Sequence, residues 1–179
     1  VARDADSDGH AESYVGMVIH GTENNEQAIG YESSGSRMWL LSWQDKNDDG
    51  TSDHIHALQV QTRTWDNDTD GDDDTVHISV QGIDILDRDY DGQEDRVVWW
   101  NTANVVTDDD ADDEVEYSLA TQTFHARNYT STGAVEAEYL YHVQFLRANI
   151  SANDVAQYEN TTIFAYQTVD DSQDSYTHA

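Results

Sequence analysis

The sequence predicts an all-β protein: an antiparallel β-sandwich or a single jelly-roll barrel with Asp-rich metal-binding loops. Three observations predict it. Apolar and polar residues alternate over short runs, the period of a strand with one covered face. The runs are rich in Val, Ile, Tyr, Phe, Trp and Thr, which fit a pleated surface. Clusters of Asp, Asn and Gly separate the runs at regular spacing, as turns between strands do. No helix of ordinary length is predicted. Only Ser151–Ala156 offers one short helical turn, with Ser151 as its cap.

The elements follow in order. Residues 1–13 form an acidic segment, residues 14–169 a single β domain, and residues 170–179 a polar, loose tail. Tyr14–Gly21 and Arg37–Trp43 are largely apolar and read as buried strands. Asp53–Trp65, Thr75–Leu86 and Arg96–Val106 are each bounded by Asp loops. In the second of these, Val76, Ile78 and Val80 share one phase and Ile83 and Ile85 the other. The slip at Gln81-Gly82 predicts a turn or bulge, and Asn101–Asn104 a similar break. Val115–Ala126 is the next strand. Val135–Leu146 alternates best, with Val135, Ala137, Tyr139, Tyr141, Val143 and Phe145 on one face. Thr162–Val169 closes the series. Trp43 and Trp65 end strands just before an acidic loop, which suits packing beneath those loops in a core better than a sugar-binding platform of tryptophans.

Charge narrows the function. The 179 residues carry 8 Lys+Arg against 37 Asp+Glu, a net charge of −29, with no Cys and no Pro. Such a surface repels phosphate, so no nucleic-acid partner is expected. No run has the roughly 18–20 apolar residues of a spanning helix, so no membrane span is expected. Without Cys there is no disulfide framework and no thiol nucleophile. The start at Val1 in place of Met is expected of a processed chain. At low ionic strength this charge would force a compact fold apart. At about 1 M salt the Debye length falls to roughly 3 Å and the repulsion is nearly removed. Lys46 is the only lysine. Asp-rich, Lys-poor composition resembles that of proteins from extremely halophilic archaea and their viruses, which implies a high-salt source.

The acids also carry a motif. The nine-residue pattern D-x-[DN]-x-D-G-x-x-[DE] recurs every 21 residues. Asp45, Asn47, Asp49 and Asp53 supply its positions 1, 3, 5 and 9 in one copy. Asp66, Asp68, Asp70 and Asp74 do so in the next, and Asp87, Asp89, Asp91 and Asp95 in the third. A worn copy begins at Asp108, with Asp113 where Gly should stand and Glu116 at position 9. An outlying copy is Asp4, Asp6, Asp8 and Glu12. Carboxylates at positions 1, 3 and 5 converge when the chain curls around a hard cation, and Gly at position 6 permits the curl. A backbone carbonyl near position 7 and the acid at position 9 would complete an oxygen shell suited to Ca²⁺, with Mg²⁺ second. An EF-hand needs Glu at position 12. His56, His77 and Val98 stand there instead, and the flanks are strands. The loops resemble the strand-flanked calcium loops of integrin-type propeller blades and thrombospondin type 3 repeats, which implies ion binding and nothing further.

Other constellations are weaker. His54 and His56 share one strand face, but no third ligand is identifiable, so they read as exposed strand histidines. No serine sits in a nucleophile-elbow context, and the sequence points to no enzyme. Asn67, Asn128, Asn149 and Asn160 each begin an N-x-[ST] triplet, compatible with glycans on an extracellular surface. As a whole, the chain resembles the small single jelly-roll major capsid proteins of icosahedral, internal-membrane viruses of haloarchaea. That resemblance implies a structural virion subunit that assembles with copies of itself and a second capsid protein. The alternatives are an extracellular calcium-binding surface, pilus or adhesion module of a halophilic archaeon, and a carbohydrate-binding β-sandwich. The expected location is therefore a virion capsid or the outside of a cell, in high salt.

Overall fold

A computed structural model describes residues 1–26, 31–66, 73–108, 115–151, 155–171 and 174–178. The all-β antiparallel expectation holds. Among the described residues every regular element is a strand: β1 (Ala2–Arg3), β2 (Ser13–Glu26), β3 (Tyr31–Gln44), β4 (His54–Asp66), β5 (Thr75–Leu86), β6 (Arg96–Thr107), β7 (Tyr117–Tyr129), β8 (Val135–Ser151), β9 (Val155–Asp171) and β10 (Asp174–His178). They form one ten-stranded sheet in sequence order, an up-and-down meander. The sheet is open and single-layered, where the sequence analysis expected the two facing layers of a sandwich or jelly roll. Alternating patterning fits a one-layer and a two-layer arrangement equally, because it reports only that one face differs from the other.

The element boundaries mostly agree. Thr75–Leu86 is β5 as expected, and β2, β3 and β9 extend well beyond the expected runs. Two expectations fail. β5 runs through Gln81-Gly82 and β6 through Asn101–Asn104 with unbroken register to both neighbours. The phase slip in β5 records a change of face. Residues directly opposite one another point to the same side. Val76, Ile78 and Val80 therefore belong to the face of Trp100, and Ile83 and Ile85 to the face of Trp99. Around Ser151, β8 reaches Ser151 and β9 starts at Val155, in place of the expected helical turn; residues 152–154 lie outside the described residues. Among the described residues, the one register shift lies between Asn128 and Tyr129, opposite Val135 and Ala137. Within the segment expected to be loose, β10 pairs with β9.

A one-layer sheet has no central core. Among the described residues the buried apolar side chains are only Val97, Ala126 and Ala137. The aromatic residues spread over the two faces. The Trp100 face is apolar through its centre, in cross-strand rows such as Met17, Leu40, Leu58, Gly82, Trp100 and Phe124. The Trp99 face is apolar near one end, through Leu41, Ile83 and Trp99. It is polar in the middle, where Gln81 Nε2 donates to Gln59 Oε1 at 2.9 Å and Thr123 Oγ1 meets His142 Nδ1 at 2.8 Å.

One polar cluster ties β7 to β8. Glu138 Oε1 accepts from Arg127 Nε and lies against His125 Nε2, each at 2.7 Å. These bonds, Arg127 first, hold the Glu138 carboxyl below its ordinary pKa. A depressed carboxyl adds stability above its unfolded pKa of about 4.3 and loses it as pH falls through the lower folded value. Glu138→Gln should therefore lower the thermal midpoint at pH 7. The difference from the parent should shrink as pH falls below 4 in a melting series, and a constant difference would contradict the assignment.

Candidate metal sites

The loops close the hairpins at both ends of the sheet. Those at 4–12, 45–53 and 87–95 share one end; those at 66–74 and 108–116 share the other. The 21-residue period is thus one strand plus one loop, and successive copies alternate ends. Neighbouring loops at one end are two strands apart, about 9–10 Å. The ladder carries on into the loop bases. Asp45 N–H donates to the Glu12 carbonyl, Asp87 N–H to that of Asp53 and Tyr129 N–H to that of Asp95, each at 2.8 Å. At the other end Asp108 N–H donates to the Asp74 carbonyl, also at 2.8 Å.

The three described loops are built alike. The position-1 carboxylate folds over the loop and accepts the N–H groups of positions 4 and 6. In the first loop these are Asp4 from Ser7 at 2.6 Å and Gly9 at 3.0 Å. In the second they are Asp45 from Asp48 at 2.7 Å and Gly50 at 2.9 Å. In the third they are Asp87 from Tyr90 and Gly92, both at 2.8 Å. The acid at position 9 accepts the N–H of position 2: Glu12 from Ala5 at 2.6 Å, Asp53 from Lys46, and Asp95 from Arg88 at 2.6 Å. Position 5 caps position 7, as Asp91 does for Gln93 at 2.8 Å.

Backbone angles explain the glycine. Gly9, Gly50 and Gly92 have φ of 99°, 87° and 83°, a region that side chains disfavour. Position 4 is left-handed too, at Ser7, Asp48 and Tyr90, with φ of 68°, 60° and 62°. The sequence carries no common signature at that position. There the strain is offset by the hydrogen bond to the position-1 carboxylate.

The loops bring acids together, and the side chains of their own bases, Lys46 and Arg88, form no ion pair with them among the described residues. Asp4, Asp6, Asp8 and Glu12 each bring a carboxylate oxygen to within 4.8 Å of the others, as do Asp87, Asp89 and Asp95. Asp91 stands outside the second of these groups. In the middle loop Asn47 Nδ2 donates to Asp49 Oδ2 at 2.8 Å, and the four expected ligands do not form such a group. Asp68 and Asp70 lie outside the described residues; their flanking Asp66 and Asp74 are buried. Asp109–Asp113 of the worn copy also lie outside them. Among the described residues, no Lys or Arg forms an ion pair with a carboxylate of the 4–12, 45–53 or 87–95 loop.

Electrostatics follows from this crowding. Asp89 is raised above the ordinary Asp pKa by partial desolvation and then by Asp91 and Asp95. Asp48 is raised by partial desolvation and then by Asp8, Asp6 and Glu12 of the neighbouring loop. Asp49 is lowered by hydrogen bonds from Thr51 and Asn47. Burial sharpens the point at Asp53, which is 1% exposed and whose Oδ1 has no hydrogen-bond partner. Glu12 Oε1 is likewise buried and unpartnered. A carboxylate oxygen removed from water without a partner is costly, and a bound cation is one of the few things that offsets the cost. Each carboxylate oxygen that accepts one N–H still has a lone pair to offer.

The histidine pair gains a partner the sequence hid. Asp84 of β5 lies opposite His56, with Oδ1 2.5 Å from His54 Nε2 and Oδ2 3.5 Å from His56 Nδ1. Its separation of about 30 residues from both histidines gave no local signal. Two of the four indoles on the Trp99 face have a cation above the ring, Arg37 over Trp39 at 5.4 Å and Arg127 over Trp99 at 6.0 Å, while Trp43 stacks with Tyr14 at 6.3 Å between centroids. Asn160 Oδ1 accepts from Thr162 Oγ1 at 3.0 Å, and Asn67 lies outside the described residues. No family model, curated protein or solved structure matches the chain.

Proposed function

We propose that this chain is a non-enzymatic structural module that works in high salt outside the cell, its sheet held in shape by Ca²⁺ in the loops. The observation that carries the proposal is the buried, unpartnered Asp53 Oδ1, in a loop whose acids form no ion pair with Lys or Arg among the described residues. Two further groups of converging carboxylates lie in sister loops on the same end of the sheet. Several carboxylate oxygens and a backbone carbonyl in one loop, without imposed octahedral geometry, favour Ca²⁺ over Mg²⁺. Cations there would neutralise adjacent loops and pin three hairpins together, which a sheet without a core needs. A surface module fits the one-layer sheet better than a capsid jelly roll does, since a jelly roll needs two facing sheets and this chain supplies one.

Asp89→Asn tests the proposal. Asp89 is exposed, belongs to a carboxylate group and is raised by partial desolvation and then by the charges of Asp91 and Asp95. In calcium titrations by calorimetry, the parent should bind about one ion for each intact loop, and Asp89→Asn should weaken one of them by about tenfold or more. Without calcium the same variant should melt no lower than the parent, because it removes repulsion. No calcium uptake by the parent would sink the proposal.

A further inference from the structure

We infer that the Trp100 face is the contact surface for a second copy of this chain, and that the folded unit is a face-to-face pair of sheets. The inference does not rest on the loops holding cations. Its first support is area. A folded monomer of 20.2 kDa exposes about 8,800 Å² by the usual scaling of surface with mass. This chain exposes 11377 Å², about 2,600 Å² more. A domain buries its apolar surface between at least two layers, and this sheet is one.

The second support is where charge is missing. Three consecutive cross-strand rows of the Trp100 face, those through Leu58, Val60 and Thr62, contain no charged residue from β2 to β9. Most of the charge lies in the loops, and the charged residues that β2 to β9 do carry, such as Arg37, Arg63, Arg127 and Glu138, fall outside these three rows. Charges return in the bounding rows: Asp84 towards one end of the sheet, and the Arg147–Glu159 pair, at 3.1 Å, towards the other. Three rows across eight strands cover about 20 by 38 Å, roughly 760 Å², close to the 800 Å² that each partner gives a standard interface. Several members stand open in the single copy, among them Met17 at 60%, Ile19 at 65%, Ile78 at 42% and Ile163 at 66% exposed.

A second copy is the occupant this surface fits. A two-fold contact sets a patch against itself, so it must carry no net charge at its centre. This one carries none, while the acids lie in loops at the two ends and stay in solvent. Sheets stacked about 10 Å apart would interdigitate Leu58, Val60, Ile78 and Trp100. The Trp100 face has Thr102, Gln122 and Asn104 among its three rows but no charge, whereas on the Trp99 face Gln59, Gln81, Asn101 and His142 line the middle row and the next row carries Arg37.

The chain has no cysteine, so single thiols report cleanly. The experiment is light scattering in about 3 M KCl with calcium, followed by maleimide labelling of Ile78→Cys and Phe164→Cys. Phe164 is 51% exposed on the Trp99 face. The expected mass is near twice 20.2 kDa. The Ile78→Cys thiol should react at least tenfold more slowly than the Phe164→Cys thiol, and dilution to monomer should equalise them. Ile78→Glu should yield monomer with an unchanged far-ultraviolet spectrum. A parent that is monomeric at about 100 μM would overturn the inference. So would a dimer in which the Phe164→Cys thiol is the protected one, or in which neither is protected, as in pairing edge to edge through the lengths of β2 and β9 that β1 and β10 leave uncovered.

Discussion

Removing divalent cations is expected to lower the melting temperature by about 15–30 °C. A ligand that binds only the folded chain stabilises it by about 2.7 kcal/mol when present at a hundred times its dissociation constant. Three such loops at one end of the sheet would contribute about 8 kcal/mol together, and a chain of this length shifts by about 2–4 °C per kcal/mol. The loss should be larger at about 0.3 M salt than at 3 M, because the carboxylates of adjacent loops then repel with less screening. Calorimetric scans with calcium and with excess chelator, at both salt levels, give the test. A midpoint that moves by under about 3 °C at either salt would mean that the buried oxygens of Asp53 and Glu12 are tolerated without a cation.

Gly82→Val should be the most damaging single substitution within the strands. The Trp100 indole lies flat over Gly82, and an added Cβ would fall 2.1 Å from its Cζ2 and 2.5 Å from its Cε2. The ring has little freedom to leave, since His56 stacks on it at 5.7 Å between centroids. Overpacking of this kind costs about 1–3 kcal/mol, or roughly 3–10 °C here. Trp100→Leu alone should also destabilise, through lost contact area. In the double variant the two losses should sum to less than their separate values, because the smaller side chain leaves room for the valine. Strictly additive losses would show that the ring does not rest on Gly82 in solution. If the Trp100 face is also the contact surface, Gly82→Val should weaken pairing, which the light-scattering mass would report separately from the melt.

The sequence by itself determined what depends on short-range chemistry. The all-β class followed from alternation and residue type, and β5 was bounded correctly because Asp loops flank it on both sides. The acids at positions 1 and 9 and the turn at Gly50 and Gly92 were readable because each loop closes on itself, through bonds that span at most seven residues. Other features needed contacts between distant strands. Asp84 meets His54 only because β4 and β5 pair in one register. The slip at Gly82 looked like a bulge because a sequence cannot say that both faces of a strand are apolar at different heights. Tertiary structure also decided that the loops alternate between the two ends, and that the sheet stays in one layer. Alternation fixes which side chains share a face, whereas what covers that face is set by surfaces that no local pattern encodes.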